Sequence, residues 1–356
     1  MRQILRLKFL GRGVVCAVLL KASLLAGAEL PKEPEKLAPA QAVNAYLAVV
    51  EDPQQTRIRR NYAAAQIVKL GDAALPRLIE LYQSAGHERR GYLAEVLGRM
   101  KEPGEPAVNM LLDDVKRNRL KTHPNTIRAL GELHVPKATP LLLELLPGAS
   151  EETRLTILCA LGRLAEESAA DALLGGLDSQ DRLVRTTCAN GVVSLLVKLK
   201  PKSSDAGKKD AYQVTFRKVL EYIEQGKHTD VRRILVSGMG TVNDPHASSV
   251  IGRVLRIESG PLQTAAARTL GQLKDPDAVG NLTERLFSDN ASLRRAALEA
   301  LGAIGDTRCV PTLIERLETS ERAERRHIIR ALQQLTRQSF GDNPAQWRLW
   351  WEEHGD

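Results

Sequence analysis

Residues 269–286, TLGQLKDPDAVGNLTERL, and residues 300–317, ALGAIGDTRCVPTLIERL, are two copies of one pattern. They match in order at Leu, Gly, Asp, Val, Leu, Glu, Arg and Leu. The same frame fits ALGELHVPKATPLLLELL at 129–146 and ALGRLAEESAADALLGGL at 160–177. With the glycine of ALG as register mark, the series runs Val68, Gly98, Gly131, Gly162, Gly191, Gly240, Gly271, Gly302 and Gln333, in steps of 30, 33, 31, 29, 49, 31, 31 and 31 residues. A fixed period of this length with two amphipathic stretches per period is the signature of stacked helical hairpins. In SLRRAALEALGAI (292–304), Leu293, Ala296, Ala297, Ala300, Leu301 and Ile304 fall on one helical face. A Gly-Asp or Pro-containing turn and a second helix, as in CVPTLIERLE, complete the unit.

Glycine inside a helix costs up to ~1 kcal/mol relative to alanine. Its recurrence in ALG therefore predicts a neighbouring helix in close approach. Val68 and Gln333 break the pattern at the ends of the series, where one neighbour is missing and repeats are atypical. Composition agrees: aromatics are 4% of the chain, which suits helix-on-helix packing better than sheets. At 356 residues the chain is long for one compact core, but a repeat array grows without one.

The unit resembles the short HEAT repeats of the type also found in phycobilisome bilin lyases. The resemblance covers residues 39–336 as nine helical pairs. It implies an all-α, right-handed α-solenoid in which the ALG helix lines the concave face and the following helix the convex side. It is specific for fold and unspecific for function.

The first 28 residues, MRQILRLKFLGRGVVCAVLLKASLLAGA, combine a basic start, an apolar run from Val14 to Leu25 and Ala26-Gly27-Ala28 before Glu29. That is the pattern of a secretory signal peptide, so export to a periplasmic or extracellular location is expected, with an N-terminal tether if the signal stays uncleaved. Lys21 interrupts the run, which falls short of the ~20 apolar residues a spanning helix needs. No membrane span is expected in the mature chain. The net charge of +8 resides largely in this segment: its five bases face no acid, and the remaining 46 bases face 43 acids, leaving +3. So small an excess argues against a nucleic-acid groove of the kind that HEAT-like DNA glycosylases use.

The domain reading is a signal at 1–28, a linker at 29–38, a solenoid at 39–336 and a capping helix at 341–356. The step of 49 exceeds the period by 18 and marks an insertion near 199–212, in LVKLKPKSSDAGKKDAYQV (196–214). Its lysines have no interleaved aromatic until Tyr212, so a solvated loop is favoured over a groove for single strands.

No catalytic constellation emerges. The histidines at 87, 123, 134, 228, 246, 327 and 354 are never paired at helical metal spacing, and no HExxH occurs. Deoxyhypusine hydroxylase, another HEAT-repeat protein, holds iron with repeated His-Glu dipeptides. Here only His87-Glu88 occurs. Cys159 and Cys188 each lie three residues before a register glycine and, with Cys309, are expected as buried free thiols. No CxxC is present. No metal, cofactor or catalytic residue is expected.

Two features suggest binding. Arg185, Arg233 and Arg295 open ALG helices and form a column, either a structural ladder pairing with acids such as Asp181 or a basic stripe for an acidic peptide. The three tryptophans, Trp347, Trp350 and Trp351, all stand in the tail NPAQWRLWWEEHGD. Asn343 as N-cap and Pro344 at the first turn predict a last helix that covers the end of the array, with Trp350 or Trp351 the more exposed. FGDNPAQWRLWW also resembles tails that close other bacterial HEAT-repeat proteins. The expectation is a non-enzymatic exported scaffold for a protein or peptide partner. The alternatives are a bilin-lyase-like or other cofactor-handling protein, and a nucleic-acid-binding solenoid.

Overall fold

The computed structural model describes residues 29–31, 37–201 and 206–355; the expected signal segment lies outside the described residues. Among the described residues there are nineteen α-helices, joined by short 3-10 turns, and no strand. In chain order they are α1 (Pro39–Glu51), α2 (Arg57–Lys69), α3 (Leu75–Ser84), α4 (His87–Gly98), α5 (Gly104–Asn118), α6 (Pro124–Glu132), α7 (Thr139–Leu145), α8 (Glu151–Leu164), α9 (Ala170–Gly175) and α10 (Arg182–Leu199). There follow α11 (Ala206–Gln225), α12 (Thr229–Val242), α13 (Ser248–Ile257), α14 (Gly260–Leu273), α15 (Val279–Glu284), α16 (Ala291–Ile304), α17 (Val310–Thr319), α18 (Arg322–Thr336) and α19 (Pro344–His354). The even-numbered helices carry the register positions. The arrangement is an all-α solenoid, in which nine pairs counted from α1 end at Thr336 and α19 follows them.

Two compact units divide the chain, Met1–Leu164 and Ala165–Asp356. In the first, α4 packs on α2 and on α6, and α6 on α8; α3 packs on α5 in the other layer. In the second, α10, α12, α14, α16 and α18 pack consecutively, while α11, α13 and α15 form the other layer and α19 lies on α17. The core is the aliphatic seam between layers: Leu235, Leu255, Leu270, Leu282, Leu301 and Leu313 are fully buried.

Three of the register glycines are where backbones meet, while Gly240 and Gly302 face the Gln272 and Gln334 side chains. A Cβ built on Gly98 would lie 2.9 Å from the Ala129 Cα, one on Gly131 2.8 Å from that of Ala160, and one on Gly271 2.6 Å from that of Ala300. Each glycine thus faces the small residue two before the next register position. Their local helical penalty is offset by a backbone contact that any side chain would block.

One register assignment changes. Val193, rather than Gly191, meets Gly238, which sits two before Gly240. The register position of α10 is therefore Val193, and the steps around it become 31 and 47 residues. Asn190-Gly191 imitates the ALG mark but lies two residues early. Cys188 then stands five before the register position and Cys159 three, so the two are not equivalent. Cys188 is buried, and Cys159 is partly exposed.

The extra residues lengthen two helices. α10 has 18 residues and α11 has 20, against 14 in α16. Lys200, at the C-cap of α10, donates to the Val242 and Asn243 carbonyls at the end of α12, 2.9 and 2.6 Å away, a favourable place for a cation. Tyr212 is buried; its hydroxyl donates to Asp244 at 2.7 Å and its ring stacks on Phe216. The aromatic that follows the lysines is thus part of the core.

The turns after α12, α14 and α16 repeat one device. Asn243, Lys274 and Gly305 take left-handed φ values of 53°, 53° and 82°. The aspartate that follows each, Asp244, Asp275 and Asp306, accepts the backbone N–H two residues on, at 2.9–3.0 Å. That is an Asx turn, and it starts the 3-10 segment leading to the next helix.

At the chain's end, Asn343 caps α19 by accepting the Gln346 N–H at 3.2 Å, and Pro344 opens the helix. Trp347 is 0% exposed, donates Nε1–H to the Gly341 carbonyl at 2.9 Å and meets Phe340 edge-on at 4.9 Å. Trp350 and Trp351 are both half-buried. Trp350 stacks on His354 at 5.1 Å.

Gly271→Ala is expected to lower stability by ~1–3 kcal/mol through overpacking, despite the better helix former. Gly280→Ala, where a Cβ meets nothing within 4 Å, is expected to raise it by up to ~1 kcal/mol; urea unfolding of both variants checks the contrast. In the same assay Trp347→Ala is expected to cost ~3–5 kcal/mol.

Candidate functional site

Eight residues before each register position the sequence places Arg60, Arg90, His123, Arg154, Arg185, Arg232, Gln263, Arg294 and Arg325. This slot lies near the start of its helix and points back at the end of the helix before. Arg232 donates Nε–H to the Ile223 carbonyl at 2.7 Å, Gln263 reaches Leu255, Arg294 reaches Ser288, and Arg325 reaches Ser320. Helix C-termini leave carbonyls without intrahelical partners, and cations there are favoured.

The same guanidiniums also grip acids of the neighbouring hairpin. Arg185 binds Asp230 at 2.9 Å, Arg232 binds Glu258 at 2.6 Å, Arg294 binds Glu324 at 3.2 Å, and Arg325 binds Asp342 at 2.7 Å. Arg185 does not pair with Asp181, which instead caps α10 by accepting the Leu183 N–H at 2.7 Å. Asp230, Glu258, Glu324 and Asp342 all stand at or just before the start of a later helix. The Arg185 guanidinium holds the Asp230 carboxyl below its usual range. Arg185 thus belongs to a structural ladder whose other members in this unit are Arg232, Arg294 and Arg325.

Arg233 and Arg295 stand one residue further on, about 100° round the helix, and have a different fate. Both are exposed. Arg295 makes only a long 3.8 Å contact with the half-exposed Glu299, and Arg233 forms no hydrogen bond or ion pair with any described residue. One turn further along its own helix, Arg268 of α14 is likewise exposed and unpaired. Arg233 and Arg268 line one cleft of about 480 Å³ across α12, α14 and the start of α16, together with Ser237, Thr264, Gln272 and Ser292. No acidic residue lines it. A neighbouring cleft of about 290 Å³ contains Arg295 and shares Ser292, but also holds Glu321 and Glu324. Trp350 and Trp351 line neither cleft.

Of the five expected contacts, then, the structure brings Arg233 and Arg295 to adjoining clefts, places Arg185 in the ladder and sets the tryptophans on α19. Sequence reasoning missed Arg268. Its signal is the i, i+4 relation to Thr264, the residue of α14 equivalent to Arg233.

Elsewhere, Tyr82 donates to Asp114 at 3.0 Å and lies 2.9 Å from the Thr126 hydroxyl, while Arg90 and Asn118 also donate to Asp114, each at 2.8 Å. Burial pushes the tyrosine hydroxyl pKa up. This is a buried hydrogen-bonded network in which the Arg90 Nε–H is left without a partner. The Cys188 and Cys309 thiols are pushed up to about 12 by burial, so both stay protonated and unreactive at neutral pH. One further group joins ligand-type side chains. His87, Glu88 and His123 each offer a donor atom within 4.8 Å of the others. Burial, then the neighbouring His87, lowers the His123 pKa.

Comparison with known proteins now decides the family. HEAT repeats match at residues 121–192, 216–297 and 281–345, together more than half of the chain. The chain belongs to the HEAT-repeat family. Nothing in that match singles out the bilin-lyase type. No curated protein matches the chain. Among solved structures, an engineered protein from the Northeast Structural Genomics Consortium is similar at 15% identity and a TM-score of 0.47, over 84% of this chain and 89% of that one. Human deoxyhypusine hydroxylase in complex with glycerol is similar at 21% identity and a TM-score of 0.32, over 84% and 98%.

The two arginine rows of this HEAT-repeat protein separate by substitution. Arg232→Ala, which removes charge-assisted bonds to a carbonyl and a carboxylate, is expected to lower stability by ~1.5–3 kcal/mol. Arg233→Ala is expected to change it by less than ~0.5 kcal/mol; chemical denaturation of the pair checks this.

Proposed function

We propose that this HEAT-repeat protein is a non-enzymatic scaffold that binds an acidic segment of a partner protein across α12, α14 and α16. The observation that carries the reading is the cleft with two unpaired guanidiniums, several hydroxyl and amide groups and no acid. Arginine forks match carboxylates in bidentate geometry, and desolvating an already paired cation would bring no such gain. The ladder argues the same way, because the family's stabilising arginine slot is filled separately by Arg185, Arg232, Arg294 and Arg325. Arg233 and Arg268 have no structural task of that kind.

Export to the periplasm or the extracellular space forms part of the reading and rests on the amino-terminal signal pattern. The absence of a clustered nucleophile, base and oxyanion donor in the sequence favours binding over catalysis. A nucleic acid is disfavoured as the partner, since the chain after residue 28 carries an excess of only +3. Trp350 and Trp351 are secondary contacts in this reading: Trp350 is stacked on His354, and Trp351 folds over Gly355.

The test is fluorescence anisotropy of a labelled glutamate-rich peptide with the chain from residue 29 onward. Arg233→Glu combined with Arg268→Glu is expected to weaken binding by at least about tenfold, or ~1.4 kcal/mol, with an unchanged melting temperature. Lys137→Glu, a reversal on an exposed residue of the other unit, is expected to leave binding intact. Equal loss in both variants, or a double variant that binds like the parent, would contradict the assignment.

A further inference from the structure

We propose that His87, Glu88 and His123 form a binding site for one divalent transition-metal ion of zinc's class, joining two successive hairpins of the amino-terminal unit. His87 and Glu88 open α4, and His123 is the N-cap of α6. The three donor atoms converge within 4.8 Å, and the two imidazole rings lie 5.0 Å apart between centroids. Zinc bonds nitrogen and oxygen at ~2.0–2.2 Å, so a tetrahedral shell needs its donors roughly 3.3 Å apart. The remaining contraction is a matter of side-chain rotation in His87 and Glu88, both exposed and free to turn.

His123 is the least exposed of the three. Its ring lies against Gly91, where any Cβ would overlap the imidazole. Asn125 holds the same corner: its backbone N–H donates to His123 Nδ1 at 3.1 Å and its side-chain amide to the Gly91 carbonyl, also at 3.1 Å. Nε2 is therefore the nitrogen left for an ion. In the neutral ring Nε2 carries the proton, so on binding the ion takes the Nε2 lone pair and the proton passes to Nδ1. That Nδ1 proton faces the Asn125 N–H, whose direction the helix fixes, so binding breaks the capping hydrogen bond and the ring tilts away from it.

Of the nearby cations, Arg90 has its charge met by a carboxylate, whereas Arg128 keeps its own and disfavours positive charge at His123. Arg90 is paired with Asp114 at 2.8 Å, and Arg128 donates to the Asn125 side-chain oxygen at 2.9 Å. Glu88 contributes the anionic ligand. Two imidazoles and one carboxylate select zinc, nickel, cobalt or copper(II) over calcium and magnesium, which take oxygen. Three protein ligands leave one position for water.

The position of His123 explains why the site arises here. It occupies the slot eight before the register, which is arginine in seven of the nine repeats. An imidazole cannot span to the preceding helix end as arginine does, and its free nitrogen turns instead to the pair that opens α4. An ion bound there links the turn before α4 to the turn before α6, so it stabilises the folded unit by mass action.

The test uses the untagged chain from residue 29 onward, titrated with Zn²⁺ by calorimetry and with Co²⁺ by visible absorption. The expected result is one ion per chain, a cobalt spectrum of low-symmetry coordination and a melting temperature that rises with added Zn²⁺. His87→Gln, at an exposed residue without a hydrogen-bond partner, is expected to weaken binding at least about tenfold while the metal-free melting temperature stays the same. His134→Gln is expected to bind like the parent. No stoichiometric uptake of either ion, or uptake that His87→Gln leaves unchanged, would overturn the site.

Discussion

Backbone-to-backbone contact between register helices is the constraint on which the rest depends. Gly98 faces Ala129, Gly131 faces Ala160 and Gly271 faces Ala300 with no room for a side chain on the glycine. Interiors packed this tightly transmit position. Once the glycine of one helix is seated against the next, the rotation and height of both are set. The other residues then take defined directions: the leucines face the seam, Arg232, Arg294 and Arg325 reach the preceding helix end, and Arg233, Arg295 and Arg326 face solvent.

That geometry assigns different roles to neighbouring arginines. Arg232 and Arg233 are adjacent in the chain, as are Arg294 and Arg295. The first of each pair is consumed by carbonyls and carboxylates. The second is left without a strong partner, since a residue about 100° further round the helix faces away from both. Electrostatic free energy invested in the ladder stabilises the stack. The second row contributes little to folding and leaves its hydrogen-bonding capacity largely unused among the described residues. A lining without carboxylates gives the cleft between α12 and α14 a single sign of charge, which favours anionic partners over cationic ones.

Much of this was legible in the sequence. The period, the glycine contact, the helix at the tail and its cap at Asn343 rest on spacing and residue type alone, which one sequence displays in full. The register at Gly191 misled because Asn190-Gly191 imitates the ALG mark, although unequal steps of 29 and 49 beside a run of 31 were a sign that the mark was misplaced. The division of Arg185 from Arg233 was not legible, because a single residue of offset decides whether a guanidinium meets a carbonyl or water. His87 and His123 escaped for another reason. They lie 36 residues apart, and metal motifs are sought at the short spacings within one helix, whereas a repeat stack brings together residues about one period apart.

The most direct measurement of the central claim is hydrogen–deuterium exchange of the chain with and without a glutamate-rich peptide. The account predicts added protection confined to the cleft-lining stretches of α12 and α14, residues 233–237 and 261–272, and to residues 290–292 at the start of α16, with exchange elsewhere unchanged. Protection that instead gathers on α19, or that spreads evenly along the register helices, would contradict a binding face built from the unpaired arginines.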